Sequence, residues 1–87
     1  MNDSQEPKEH GHTYTIVVNG QQKTVDEHKL TYDAVVTIAF PTRDPQNDYS
    51  VSYRKADDSK HDGSLASGGV VTIKDGTIFN VTPTLRS

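Results

Sequence analysis

Residue types that could carry catalytic or metal-binding chemistry occur in this 87-residue sequence, but no known spacing brings them together. Serine, histidine and aspartate are all present, yet no GxSxG elbow or other nucleophile signature places them for catalysis. Cysteine is absent, which excludes thiolate catalysis, disulfides and cysteine-based zinc sites. We therefore predict no catalytic residue, no metal site and no cofactor.

Two polar runs contain residue types that bind metal ions. His10 and His12 lie two positions apart, but two histidines alone leave a metal site incomplete. The run ADDSKHDGSL, residues 56–65, is rich in aspartate but lacks the spacing and the closing glutamate of an EF-hand loop. We interpret both runs as solvated segments. Gly68-Gly69 precedes an apolar strand and not a phosphate-binding helix, so it predicts a turn.

Composition bounds the class of protein. Only 31% of the residues are hydrophobic, which predicts one small domain with a small core. The net charge is -3 without a basic cluster, which argues against nucleic acid and anionic membranes as partners. No apolar run approaches the roughly 20 residues of a membrane span, and the polar N-terminus does not resemble a signal peptide. We expect a cytoplasmic protein.

One segment, LTYDAVVTIAFP, has the pattern of a helix with one broad apolar face. Its apolar residues recur at the i, i+3, i+4 and i+7 positions. Thr31 is the predicted N-cap, because its hydroxyl can accept a hydrogen bond from a first-turn N–H. Pro41 disfavours helical geometry at Phe40, so we predict a helix over residues 31–40. A short and mostly apolar helix must pack on a sheet to be stable.

The remaining apolar residues alternate as they do in strands. Residues 14–18 and 21–25 flank Asn19-Gly20, the residue pair best suited to a type I′ hairpin turn. Further strands are predicted at residues 49–53, 70–73 and 77–82, with Asp75-Gly76 as a second hairpin turn.

This order of elements predicts the α+β fold called the β-grasp, a mixed sheet of four or five strands packed on one helix. In that fold the last strand lies mid-sheet, beside the first strand and parallel to it, because the helix-bearing connection permits parallel pairing. Residues 13–82 form the predicted domain. Residues 1–12 are a predicted disordered arm, since no apolar residue follows Met1. Pro83 cannot donate to a strand ladder, so residues 83–87 are predicted to be a flexible C-terminal tail.

Three segments carry a family resemblance: YTIVVNG, LTYDAVVTIAFP and GGVVTIKDGTIFNVTPTLRS. They resemble the prokaryotic ubiquitin-like proteins of the multiubiquitin type, from about residue 14 to residue 87. The resemblance implies a ubiquitin-like fold and a role as a bacterial protein modifier that is not itself an enzyme. It implies four kinds of partner: an activating enzyme, a conjugating enzyme, a deconjugating or processing peptidase, and target proteins.

The resemblance also implies where attachment takes place. The C-terminal carboxylate, on Ser87, is the expected conjugation site, activated with ATP and then passed to a cysteine as a thioester. Thr84, Leu85 and Arg86 are the residues expected to be recognised by the processing and activating enzymes. Arg86 either pairs with an acidic groove on the activating enzyme or is an ordinary solvated arginine.

The C-terminal residues depart from the ubiquitin pattern. Ubiquitin and the sulfur carriers of the same fold end in diglycine, whereas this chain ends in Leu85-Arg86-Ser87 and has its only Gly-Gly pair at Gly68-Gly69. Either the enzymes accept a larger residue, or the end is trimmed first, or conjugation does not occur. The alternatives are a β-grasp interaction module without conjugation and, ranked last, a sulfur carrier. Self-association and linkage to either lysine or a hydroxyl remain open.

Two surfaces are further candidates for partner recognition. Tyr32, Tyr49 and Tyr53 could form a tyrosine patch, although Tyr32 belongs to the helical stripe and is assigned to the core. Val17 and Ile78 face outward in the predicted strands and could form a shallow hydrophobic docking surface.

Overall fold

The computed structural model describes residues 12–42 and 47–85, and for Leu85 it describes the backbone alone. The predicted N-terminal arm, apart from His12, lies outside these residues. In chain order the elements are β1 (Tyr14–Val18), β2 (Gln21–Val25), β3 (Lys29–Thr31), α1 (Tyr32–Ala39), β4 (Asn47–Arg54), β5 (Gly63–Leu65), β6 (Val70–Thr72) and β7 (Ile78–Leu85).

The main sheet has five strands in the order β2-β1-β7-β4-β5. Neighbouring strands are antiparallel except for β1 and β7, which run parallel. The last strand therefore lies in the middle of the sheet beside the first, as predicted. With α1 packed on one face, this is the ubiquitin-like β-grasp fold expected from the sequence.

Helix α1 forms where the apolar periodicity predicts it. The Thr31 hydroxyl accepts a hydrogen bond from the backbone N–H of Ala34 at 3.1 Å, so Thr31 is the N-cap. Phe40 is the C-cap, and its N–H donates to the carbonyl of Val36 at 2.7 Å. Among the described residues, no helix is both long and apolar enough to cross a membrane.

The core lies between the helix and the inner face of the sheet. Its largest fully buried side chains come from every layer of the fold: Phe79, Ile16, Leu30, Ile73, Val18, Val35, Val36 and Val71. Tyr32 and Tyr49 belong to this core, and the Tyr32 hydroxyl donates to the Tyr49 carbonyl at 2.6 Å. Tyr53 is half-buried and packs against Phe79, with ring centroids 6.4 Å apart. The predicted tyrosine patch is therefore wrong, because Tyr32 and Tyr49 are buried and only Tyr53 is partly exposed.

A second sheet of two strands joins β3 to β6 in antiparallel pairing. Neither β3 nor β5 was predicted from the sequence. Residues 56–65 were interpreted as a solvated segment, which is wrong for its last three residues, because they form β5 and Leu65 is buried. Asp75-Gly76 was predicted as a hairpin turn, which is also wrong, because the strands on either side belong to different sheets. Gly76 does take a left-handed conformation, with φ of 93°, and its N–H donates to the carbonyl of Thr15. This turn therefore passes the chain from the small sheet to the main one.

The aspartates of the loop before β5 bind the protein's own backbone. Asp58 accepts a hydrogen bond from the N–H of Thr72 at 3.0 Å, and Asp62 accepts one from the N–H of Lys55 at 3.2 Å. Asp57 lies 3.6 Å from the imidazole of His28. Asp58 therefore holds the loop against β6, and Asp62 joins the loop to the residue that follows β4, so both carboxylates have a structural role without a cation.

Candidate functional site

The candidate site is the C-terminal part of β7, because the predicted attachment residues lie in it or directly after it in the sequence. All eight residues of β7 pair with β4, from Ile78 opposite Arg54 to Leu85 opposite Asn47. The pairing with β1 is much shorter and covers only Ile78 and Phe79. On the face of β7 that points to the core, Phe79 and Val81 are buried and Pro83 is exposed. Along this face the strand therefore runs from the core to the surface, while β4 pairs with it throughout.

Asn19, at the tip of the first hairpin, extends the contact between β1 and β7. Its side-chain amide donates to the carbonyl of Val81 at 3.1 Å, and its side-chain oxygen accepts from the N–H of Val81 at 2.8 Å. Its own N–H donates to the carbonyl of Phe79 at 3.0 Å. From the sequence, Asn19 was predicted only as a turn residue. An Asn-Gly pair indicates the turn but contains no information about which strand lies beside it.

Pro83 does not end the strand, contrary to the prediction. The backbone groups of Val81 face Asn19 and not β4, and alternate residues of a strand direct these groups to the same side. The nitrogen of Pro83, two residues later, therefore also faces away from β4. Pro83 lies opposite Tyr49, and this pair of residues is not joined by backbone hydrogen bonds. Proline costs no ladder bond at such a position, so β7 continues to Leu85.

The structure places two of the four predicted attachment residues inside β7. Thr84 is exposed, and its hydroxyl donates to the carbonyl of Asp48 at 3.3 Å. The backbone of Leu85 lies opposite Asn47. Arg86 and Ser87 lie outside the described residues, so their predicted roles remain predictions. Strand β7 thus includes the first three residues of the predicted flexible tail, Pro83 to Leu85.

The outer face of the sheet, away from α1, contains few apolar side chains. Val17 and Ile78 are neighbours in the register of β1 and β7, and both are half-buried. The exposed side chains around them on this face are polar, as at Thr15, Asn80 and Ser52. The apolar area at this predicted docking surface is therefore small.

No group of three or more histidine, aspartate or glutamate side chains within residues 12–42 and 47–85 is arranged to hold a metal ion. His10 lies outside those ranges. His12 stacks on Tyr14, with ring centroids 6.5 Å apart. Tyr14 also stacks on His28, with ring centroids 5.2 Å apart. These three rings pack together at the start of β1.

The sequence from residue 14 to residue 84 matches a family model described as Multiubiquitin. Comparisons with curated proteins and with solved structures give no match. The matched range begins with β1 and ends one residue before the end of β7, so it includes the helix and both sheets. The chain therefore belongs to the Multiubiquitin family.

Proposed function

We propose that this chain is a bacterial, cytoplasmic ubiquitin-like protein modifier. An ATP-dependent activating enzyme charges its C-terminus, which then passes through a thioester to a conjugating enzyme and on to a target protein. A processing or deconjugating peptidase completes the set of partners. The proposal is supported by membership in the Multiubiquitin family and by the ubiquitin-like fold.

The arrangement of β7 is the observation that carries the proposal. A modifier needs a rigid body for its enzymes to recognise and a terminal segment thin enough to enter their catalytic clefts. β7 is held by β4 along its length and by Asn19 at Val81, while its last part extends beyond β1 with exposed threonines. The strand end that precedes Arg86 and Ser87 in the sequence is accordingly fixed to the body.

The chemistry would take place on the terminal carboxylate. The carboxylate of Ser87 attacks the α-phosphorus of ATP, which forms an acyl-adenylate and releases pyrophosphate. An enzyme thiolate then attacks the acyl carbon and displaces AMP, giving a thioester. An amine or hydroxyl of the target finally displaces the thiolate. The modifier supplies the acyl group, and the acids, bases and nucleophiles belong to its partners.

An adduct assay tests this proposal. The full chain is incubated with ATP and with the activating and conjugating enzymes of the same organism, and intact masses are measured before and after addition of a thiol reductant. We expect an ATP-dependent adduct on an enzyme cysteine that the reductant removes. Absence of any adduct, both for the full chain and for chains shortened by one to three residues, would overturn the proposal.

Charge reversal at Arg86 tests the predicted recognition. Arg86→Glu should lower the rate of adduct formation about tenfold or more if the arginine pairs with an acidic groove, because one charged contact becomes repulsive. Lys60→Glu is the matched control. It makes the same change of charge on an exposed residue of the loop before β5, at the opposite end of β7 from Leu85. Equal effects of the two variants would mean that Arg86 has no specific role.

The alternatives predict different products. An interaction module without conjugation would form no adduct and would keep its partner after residues 85–87 are deleted. A sulfur carrier would acquire a terminal thiocarboxylate, which intact-mass measurement distinguishes from a thioester.

A further inference from the structure

An apolar groove of about 710 Å³ lies between helix α1 and strand β2, remote from the end of β7. Val25, Leu30, Ala34 and Ile38 contribute its apolar lining. Leu30 is buried, while the other three are half-buried and remain accessible from the groove. The groove therefore offers aliphatic surface that residues 12–42 and 47–85 leave partly uncovered.

Strand β2 forms one wall of this groove and is also an edge of the main sheet. Of the described strands, only β1 pairs with it. The backbone N–H and carbonyl groups of Thr15 and Val17 point away from β2. They form hydrogen bonds with Asp75, Gly76 and Thr77 instead. Their partners in the register, Thr24 and Gln22, therefore direct their own backbone groups to the open edge. Two residues of an added strand could pair there.

Acidic side chains line the end of the groove at which β2 ends. Asp26 and Glu27 follow β2 directly, and Asp33 lies in the first turn of α1. All three are exposed. Among the described residues, the groove lining contains no lysine or arginine, so a ligand with positive charge complements it.

We propose that this groove is a docking site for an extended peptide segment of a partner protein that combines branched aliphatic residues with flanking lysine or arginine. The segment adds to the β2 edge as a further strand, so its backbone bonds to Gln22 and Thr24. Its groove-facing aliphatic side chains cover Val25 and Ile38, and a flanking cation lies near Asp26 and Glu27. The binding is non-covalent and does not depend on the proposed conjugation.

Three capped heptapeptides, free of terminal charge, test the proposal with the full chain. The probe is Lys-Val-Thr-Ile-Thr-Val-Lys, and its controls carry glutamine or glutamate in place of both lysines. Amide chemical shifts follow each titration. We expect the lysine probe to shift the resonances of β2 and α1, to bind about fivefold more tightly than the glutamine peptide, and to weaken as salt is raised. The glutamate peptide should bind most weakly.

Proline substitutions test the strand addition. Thr24→Pro removes an N–H that faces the open edge and leaves the hydrogen bonds between β1 and β2 intact, so binding of the lysine probe should weaken at least tenfold. Ser64→Pro is the matched control. Ser64 pairs with Ser52, whose backbone faces β7, so its N–H points to the open edge of β5. This control should bind as the parent does.

Two further variants test the groove and its charge. Ala34→Leu fills the groove without changing β2, and it should also weaken binding; it serves as the test if Thr24→Pro does not fold. Asp26→Asn with Glu27→Gln should reduce binding of the lysine probe about fivefold and leave the glutamine peptide unaffected.

Several results would overturn the proposal. Shifts confined to β5 or to the outer sheet face, or no shift at millimolar peptide, would exclude this groove as the site. Unchanged binding by a folded Thr24→Pro variant would exclude strand addition. Shifts at β2 that depend on protein concentration without peptide would make a second copy the occupant. Shifts of residues 1–11 on Ala34→Leu substitution would make the chain's own N-terminal segment the occupant.

Discussion

At the scale of single residues, the Asn19 side chain acts as a short extension of β1. Its amide offers a donor and an acceptor in the same arrangement as a peptide group, and both bond to Val81. Asn19 also takes φ of 52°, a conformation that asparagine tolerates better than most residues. One residue therefore forms the hairpin tip and holds the central strand where pairing with β1 ends.

Replacement of Asn19 by glycine separates these two roles. Asn19→Gly keeps the turn, since glycine accepts positive φ, but removes both side-chain bonds to Val81. We expect a loss of about 1–2 kcal/mol in the free energy of unfolding and faster hydrogen exchange at the Val81 amide. Asn19→Asp retains the acceptor and loses the donor, so its free energy of unfolding should lie between those of the parent chain and Asn19→Gly. An unchanged exchange rate at Val81 in Asn19→Gly would contradict this role.

At the scale of the strand, the direction of the backbone groups decides where proline is tolerated in β7. Thr82 and Thr84 direct their backbone groups to β4, whereas Val81 and Pro83 direct theirs away from it. This alternation explains why the strand passes through a proline and reaches Leu85. It also keeps the residues before the proposed attachment site in a defined direction.

Moving the proline by one position tests this explanation. Pro83→Thr should change the free energy of unfolding by less than about 0.5 kcal/mol, because no ladder bond is gained or lost. Pro83→Thr combined with Thr82→Pro should cost about 2–3 kcal/mol, since the new proline removes a bond to Ser50 and its ring meets β4. Urea unfolding measures both values. Equal stability of the two variants would mean that the backbone directions are assigned wrongly.

At the scale of the whole molecule, one small core joins the helix to the sheet. Phe79 lies in the central strand and is 0% exposed. It belongs to the same buried cluster as core residues of β4 and α1. A domain of this size is stable by about 5–15 kcal/mol, so one buried aromatic ring is a large part of the total. The strand that leads to the proposed attachment site is therefore also the centre of the core.

Truncation of neighbouring residues on opposite faces of β7 tests whether the inner face of this strand is the centre of the core. Phe79→Ala should cost about 3–5 kcal/mol and broaden or abolish the thermal unfolding transition, because it leaves a cavity between sheet and helix. Ile78→Ala, on the half-buried outer face, should cost about 1 kcal/mol. Calorimetry or circular dichroism distinguishes the two. A similar cost at both positions would place the core elsewhere.

Local patterns were sufficient for much of this molecule. The periodicity of LTYDAVVTIAFP predicted α1 with its Thr31 cap, and Asn19-Gly20 predicted the first hairpin, because both depend on contacts between residues a few positions apart. The order of these elements predicted the parallel neighbours β1 and β7. The family resemblance was likewise present in the sequence and was confirmed by the match over residues 14–84.

Contacts between distant segments decided the rest. The pairing of β3 with β6 and the contact of Asn19 with Val81 each join residues about 40 or more positions apart. The direction of the Pro83 nitrogen depends on which strand lies beside β7. The groove between β2 and α1 arises in the same way. A sequence pattern specifies which residues are apolar or turn-forming, whereas which backbone group faces which neighbour is settled only when the strands are assembled.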